Sequence, residues 1–408
     1  MNDVLVFLLL FIAIAIGWYL GRRSAGMQPA GSKHRSQYYK GLNYLLDGHP
    51  GDIVDNGVAS EVDSYVSNLE VNSETLEAHI TIGNLLRKRG EVDRAIRIHQ
   101  NLLARSDLPQ AQVHAAHLEL ARDYVAAGLL DRAEQLLLDL AQESPEQRRP
   151  SLRHLQEIYQ SERDWPKAIS VARTLLSSNK PDGDAREVTS PGQSVAVALS
   201  HYHCELATQA LEANDEALVR RELSAALAQD AQCVRASLLL GELELRVGNV
   251  KRAVSALRKI RQQDPDYIPE SIPLLRQCYA STGDTLALQT YLRECLEVTP
   301  SAPLVLAVAE DLRQSTGDSA AAEFLSAQLA DRPSLRGLHR LIVLQMASAE
   351  GASRGNLAVL QLLVERLIEE RPAYRCGHCG FSATQLYWCC PGCKHWSTMK
   401  TIRGTALE

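Results

Sequence analysis

The sequence predicts an all-α repeat superhelix, preceded by an N-terminal transmembrane helix and closed by a small metal-held C-terminal domain. Three observations predict this fold class. A glycine-led turn recurs in register along the chain, four cysteines stand in two C-x-x-C pairs near the C-terminus, and an uncharged apolar run opens the chain.

The repeats are set by their turns. Gly90 begins Gly-Glu-Val-Asp-Arg-Ala, Gly128 begins Gly-Leu-Leu-Asp-Arg-Ala, and Gly248 begins Gly-Asn-Val-Lys-Arg-Ala. Seven residues before each stands a small residue (Gly83, Ala121, Gly241), and five after each stands an alanine (Ala95, Ala133, Ala253). Pro145 and Pro265 fall seventeen residues after the second and third glycines. Gly283 and Gly317 head weaker copies, with Pro300 in the matching place for the first. Small residues let two helices cross closely, and the glycine ends the first helix in a left-handed cap. The proline stops the second helix before the next unit. This frame is the tetratricopeptide pattern, and it predicts eight or nine units over residues 38–371, several of them degenerate. Residues 38–70 hold a poor first unit, and 151–178 form one with Trp165-Pro166 at the turn. Asn179 to Ser194 is a polar loop between units, and the last unit spans roughly 336–371. Stacked units of this kind make a right-handed superhelix with a concave face suited to binding a peptide, a helix or a protein. They carry no built-in catalytic centre.

The chain opens with Val4 to Leu20, an uncharged run of seventeen residues that reaches roughly 25 Å as a helix, near the short limit for spanning a bilayer. Trp18 and Tyr19 stand at the end of the run, where amphipathic rings favour the membrane interface. A cleaved signal peptide would want a basic start and a small-residue cleavage site, whereas this chain begins Met1-Asn2-Asp3 and the apolar run ends at Arg22-Arg23. Positive charge after the helix and none before it places the body on the cytoplasmic side. Residues 1–21 therefore read as a single anchor and 22–37 as a flexible linker.

Residues 372–408 form the second chemical unit. Cys376 and Cys379 make one C-x-x-C pair, Cys390 and Cys393 the other, with ten residues between the inner cysteines. Two residues between cysteines let both sulfurs point inward from one tight turn, so each pair wraps one side of an ion. Four thiolates in a tetrahedron suit one zinc ion, or iron in a redox variant. The linker is shorter than the commonest zinc-ribbon spacing but long enough for two short strands and a turn. Gly380 and Gly392 fit turns where backbone N–H groups approach sulfur and positive φ is called for. Cys389 directly precedes Cys390 and reads as a bystander. A domain this small takes most of its folding energy from the metal. Tyr374, Phe381, Tyr387, Trp388 and Trp396 are expected to cover the metal and dock the knob on the last helices.

Composition excludes several function classes. The net charge of the 408-residue chain is −6, which gives no nucleic-acid signal. The terminal domain is the exception, with four basic residues against Glu408 for a formal +3 that four thiolates and a divalent ion bring close to neutral. Five of the nine cysteines cluster at the C-terminus; Cys204, Cys233, Cys278 and Cys295 are scattered singly and read as small core side chains in a reduced compartment. No glycine-rich phosphate loop, nucleophile elbow or H-E-x-x-H is present, so no catalytic residue is assigned. His114 and His117 are spaced to share a helix face, while His201 and His203 point roughly 200° apart on a helix and cannot share an ion. Glu91, Asp93 and Arg94 at the repeat turn read as capping and solvated charge.

Anchor, tetratricopeptide array and rubredoxin-like knob, in this order, resemble the lipopolysaccharide assembly protein B family of Gram-negative bacteria over nearly the whole chain. The stretches that carry the resemblance are Gly83-Asn84-Leu85 through Gly90-Glu91-Val92-Asp93-Arg94-Ala95-Ile96-Arg97-Ile98-His99-Gln100, and Tyr374-Arg375-Cys376 through Trp396-Ser397-Thr398 with Ile402-Arg403-Gly404. The family's metal cysteines fall on Cys376, Cys379, Cys390 and Cys393. The resemblance implies a non-enzymatic regulator on the cytoplasmic face of the inner membrane. With a membrane-bound AAA metalloprotease (FtsH type), such a protein brings about degradation of the lipid A deacetylase (LpxC), and the family has also been viewed as a hub for lipopolysaccharide enzymes. The alternatives are a scaffold for those enzymes without a proteolytic role, and an iron-dependent redox carrier.

Overall fold

The computed structural model describes residues 76–104, 108–177, 194–369 and 371–402. The predicted anchor, linker and first repeat unit, and all of the Asn179–Ser194 loop but Ser194 itself, lie outside the described residues, as does Arg403-Gly404. Among the described residues no helix is long and apolar enough to cross a membrane. The chain divides into two compact units, Met1–Ile158 and Tyr159–Glu408.

In the first unit, α1 (Leu76–Lys88) pairs with α2 (Val92–Leu103), and α3 (Gln110–Ala126) with α4 (Leu130–Glu143); α5 (Pro145–Glu162) runs across the division. The second unit continues with α6 (Trp165–Ser177), α7 (Val195–Glu212), α8 (Glu216–Gln229), α9 (Val234–Arg246) and α10 (Val250–Arg258), then the short α11 (Ile260–Gln263) and a 3-10 turn at Pro265–Tyr267. Next come α12 (Ile268–Thr282), α13 (Thr285–Val298), α14 (Ala302–Thr316), α15 (Asp318–Asp331), α16 (Leu335–Ser348) and α17 (Gly351–Glu369). Three short strands follow: β1 (Tyr374–Cys376), β2 (Ser382–Ala383) and β3 (Met399–Thr401).

The repeat turns are Schellman caps. Gly90, Gly128 and Gly248 take φ of 85, 75 and 84°, and the next residue's N–H reaches back five positions: Glu91 to Leu86 O, Leu129 to Tyr124 O, Asn249 to Glu244 O, at 2.9, 2.9 and 2.7 Å. The same bond recurs from Asp164 to Tyr159 O and from Asp215 to Ala210 O, with Arg163 and Asn214 left-handed in place of glycine. Those two units are therefore invisible to a frame built on glycine. Gly317 departs from the frame, with φ 100° and ψ 175° outside the left-handed helical well. Glu91 makes no side-chain cap and pairs with Arg94 instead. The aspartates after the other turns do cap: Asp215 accepts from Leu218 N and Asp284 from Ala287 N. Pro145 stands two residues beyond the end of α4 and is itself the first residue of α5, where a missing N–H costs nothing.

The small residues of the frame lie at helix crossings. Ala95, Ala121, Ala133 and Ala253 are fully buried. A Cβ on Gly83 would fall 2.4 Å from Nε2 of His99, and one on Gly241 would fall 2.5 Å from a methyl of Leu257. In the first unit, His99 Nδ1 meets Asp123 Oδ2 at 2.5 Å, and Arg87 bonds Asp123, Glu119 and Asn84 at 2.7, 2.8 and 2.7 Å. Asp123 is wholly buried and so takes its ionic partners from two helices. In the second unit, one apolar cluster runs from Val234 to Val308 and holds Cys278 and Cys295. Cys204 and Cys233 lie in a neighbouring one. All four cysteines are buried, as their scattered positions predict.

Candidate metal centre

The C-terminal sheet has the order β2-β1-β3, antiparallel throughout, with Tyr374 opposite both Ala383 and Thr401. β1 ends at Cys376, so the first pair of cysteines occupies the turn between β1 and β2. There the N–H groups of His378 and Cys379 point at Cys376 Sγ, 3.4 and 3.5 Å away, and Gly380 N donates to Cys376 O at 3.0 Å with Gly380 at φ 78°. The second pair repeats the device: Lys394 N donates to Cys390 O at 2.8 Å, and Lys394 takes φ 60°. The left-handed position of the second turn therefore falls on Lys394 and not on Gly392. Gly392 answers a different need, because a Cβ there would lie 3.3 Å from Cys379 Sγ and 3.4 Å from Phe381 Cβ.

The two turns bring Cys376, Cys379, Cys390 and Cys393 together, with all four sulfurs within 4.8 Å of one another. Cys376 and Cys393 are 3.7 Å apart, as are Cys379 and Cys390. A tetrahedron of sulfurs about an ion at about 2.3 Å has edges of about 3.8 Å, so the set fits a metal of zinc size. Its electrostatics point the same way. Burial opposes ionisation of Cys376, but the Thr398 hydroxyl and the amides of Cys379 and His378 outweigh it and hold that thiol down to about 6. Burial, with the neighbouring sulfurs, pushes Cys393 up to about 12 and raises Cys390 as well. Several thiolates crowded together repel, and a cation at their centre removes the conflict. Four sulfurs leave a metal no open position for a substrate. Cys389 stands apart: its thiol is raised to about 11 by burial, and its sulfur faces Lys394 O at 3.4 Å.

The knob is fastened to the helices of its own unit through aromatic and polar contacts. Trp396 stacks on His201 at 4.8 Å between centroids and meets Trp165 and Tyr202 edge-on at 6.3 and 6.0 Å. Its Nε1 donates to Gln160 Oε1 at 3.0 Å; the same oxygen accepts from Tyr202 OH at 2.8 Å, while Gln160 Nε2 donates to Lys394 O at 3.0 Å. Trp388 stacks on Tyr267, whose hydroxyl lies 2.8 Å from Met399 O. Tyr374 OH donates to Glu270 at 2.7 Å, His201 Nε2 meets Ser397 Oγ at 2.7 Å, and Lys400 bridges Asp264 and Asp266 at 2.9 and 3.0 Å.

The expected docking on the last helices is thus corrected. The hydrogen bonds fall on residues between Gln160 and Glu270, because that is where aromatic rings and carboxylates face the knob's two tryptophans and Lys400. Among the described residues, Ala302, Pro303, Arg336 and Ile368 of the last helices line a small cavity with Thr401 and Ile402 of the knob. Of the five aromatic residues singled out, Tyr374 and Tyr387 pack against the sulfur cluster and Trp388 and Trp396 dock. Phe381 stays 37% exposed, with its Cβ beside Gly392 at the second turn. Burial lowers His201 to about 3, with the Arg235 charge acting in the same direction. His203 Nδ1 turns instead to Glu222 at 2.7 Å, so the two histidines serve different partners. His114 meets Gln110 at 3.1 Å. Sequence reasoning did not find Gln160, Tyr267 or the Asp264/Asp266 pair; nothing in their local pattern marks them, since their role depends on a partner more than a hundred positions away.

Comparison with known proteins places these features together. The family described as "Rubredoxin metal binding domain" matches residues 374–401. Tetratricopeptide repeat families match residues 80–148, 204–268 and 151–186. The chain is 36% identical over 98% of its length, and 98% of the relative's, to lipopolysaccharide assembly protein B of Escherichia coli K12. It is 35% identical, with the same coverage of both chains, to lipopolysaccharide assembly protein B of Haemophilus influenzae. A solved tetratricopeptide repeat protein from Parabacteroides merdae, 14% identical, covers 67% of this chain and 100% of its own with a TM-score of 0.34, too low to add to the argument.

Proposed function

The chain belongs to the lipopolysaccharide assembly protein B family, and from that membership we propose that it is a non-enzymatic, membrane-anchored adaptor in lipopolysaccharide biosynthesis. The observation that carries this reading is relatedness at 36% identity across 98% of both chains. In this reading residues 1–21 hold the protein to the inner membrane, 22–37 link, 38–371 recruit protein partners, and 372–408 form a knob folded around one zinc ion held by Cys376, Cys379, Cys390 and Cys393. The partners are a membrane-bound AAA metalloprotease of the FtsH type and the lipid A deacetylase LpxC, whose degradation the adaptor promotes. Confinement to one membrane raises the partners' effective concentration without new contacts. Helical repeats supply extended surfaces for proteins, and a closed four-sulfur set supplies stability rather than chemistry. The residues present fit zinc; an iron-loaded protein would show the visible absorbance of iron–thiolate bonds, which metal analysis of the purified chain decides.

The test is the half-life of the deacetylase in cells depleted of this protein. A long-lived deacetylase is expected, with normal turnover restored by the full chain and restored poorly by a chain lacking residues 1–21. An unchanged half-life removes the proteolytic role and leaves the scaffold.

A further inference from the structure

We propose that the knob holds a second metal ion on its outer side, ligated by His378, His395 and the sulfur of Cys393, which then bridges two ions. The inference rests on the reading of the four cysteines as a metal centre. His378, Cys393 and His395 each bring one ligand atom within 4.8 Å of the other two. This is the second such group among the described residues, and it shares only Cys393 with the first. The imidazoles of His378 and His395 lie nearly parallel, 4.1 Å between centroids and 22° between planes. His395 Nδ1 lies 2.8 Å from Cys393 O. A carbonyl only accepts, so Nδ1 carries the hydrogen and Nε2 keeps the lone pair, the tautomer-fixing arrangement usual for a metal-ligating histidine.

The placement follows from the two turns. His378 is inside the first C-x-x-C and His395 follows the second by two residues, so the fold that gathers the four sulfurs also brings the two rings face to face. His378 is exposed, and Cys393 and His395 are partly so, which gives an ion access from solvent and leaves room for water as a further ligand. Two imidazoles and a thiolate suit zinc, copper or nickel and not magnesium or calcium. A thiolate sulfur bound to one ion retains lone pairs for another. Zinc is the ion committed to here.

The experiment titrates the purified full chain with zinc chloride, removes loosely held metal on a desalting column, and counts zinc per chain by mass spectrometry. Two zinc ions per chain are expected, falling to one in His378→Ala/His395→Ala, with the cysteine-bound ion retained. One zinc in the wild type overturns the second site, as does a double variant that still takes two. No zinc in either protein overturns the four-cysteine reading, and the second site with it. The single variants His378→Gln and His395→Gln, each expected to lose the second ion alone, show that the loss comes from the ligands and not from misfolding.

Discussion

Trp396 donates its indole hydrogen to Gln160 at 3.0 Å, a bond between residues 236 positions apart that ties the metal knob to the middle of the helical array. Gln160 also receives Tyr202 OH and donates to Lys394 O, so one amide serves three polar groups. Gln160→Ala leaves those groups without it and should destabilise the docked state by roughly 1–3 kcal/mol. The expected result is faster amide exchange across residues 388–400, together with a red-shifted tryptophan emission, while far-ultraviolet dichroism holds steady. Unchanged exchange in the knob would show that the amide is not needed for docking.

Removing the metal should release the same contact from the other side. Apparent binding of roughly 10–16 kcal/mol is far more than a three-stranded sheet of two- and three-residue strands supplies by burial. Chelation, or Cys376→Ala with Cys379→Ala, should therefore unfold residues 374–401 and free Trp388 and Trp396, while the helices, which have their own cores, remain. Near-ultraviolet dichroism should fall sharply and far-ultraviolet dichroism little. A knob that stays docked without metal would refute the view that the ion holds it together.

The parts legible in the sequence are those with a local cause. A left-handed turn calls for glycine, which is why Gly90, Gly128 and Gly248 mark three repeats. Paired cysteines fold a turn about an ion wherever they stand. Arg163 and Asn214 perform the glycine's task at a modest backbone cost, and so keep two repeats with the same cap hydrogen bonds out of the glycine frame, although Trp165-Pro166 still marks the first of them over 151–178. The knob's seat was the least legible feature. Its docking surface is assembled from Gln160, Trp165, His201, Tyr202 and Tyr267, none of which is marked locally as a seat for the knob.

His201 gives the contact a pH dependence. Its folded pKa is lowered from 6.5 to about 3, chiefly by burial and then by Arg235. The unfolded chain therefore binds a proton below about 6.5 that the folded chain refuses until about 3. Its contribution to stability is complete above pH 6.5 and is lost as pH falls, by up to about 1.4 kcal/mol per pH unit. The expected outcome is a smaller drop in urea midpoint between pH 7.5 and 5.5 for His201→Gln than for the wild type. Acid loss of metal is common to both proteins and leaves the difference intact. Equal drops would mean that His201 is protonated in the folded state.

Two glycines of one repeat should fail for different reasons. Gly83 is buried at a helix crossing, where an added Cβ would stand 2.4 Å from His99 Nε2. His99 cannot swing aside cheaply, because its Nδ1 is bonded to the buried Asp123, which in turn pairs with Arg87. Gly83→Ala should therefore cost roughly 1–3 kcal/mol through overpacking, and more if the ring leaves Asp123 without its partner. Gly90 has nothing within 4 Å of its added Cβ, so Gly90→Ala pays only for φ of 85°, about 1–2 kcal/mol. Pairing each change with His99→Ala separates the two cases in a double-mutant cycle. Coupling between positions 83 and 99, with none between 90 and 99, is the expected result of urea titrations. Coupling absent from both pairs would mean that the helix crossing relaxes, and that the small residue of the repeat frame is not set by the ring behind it.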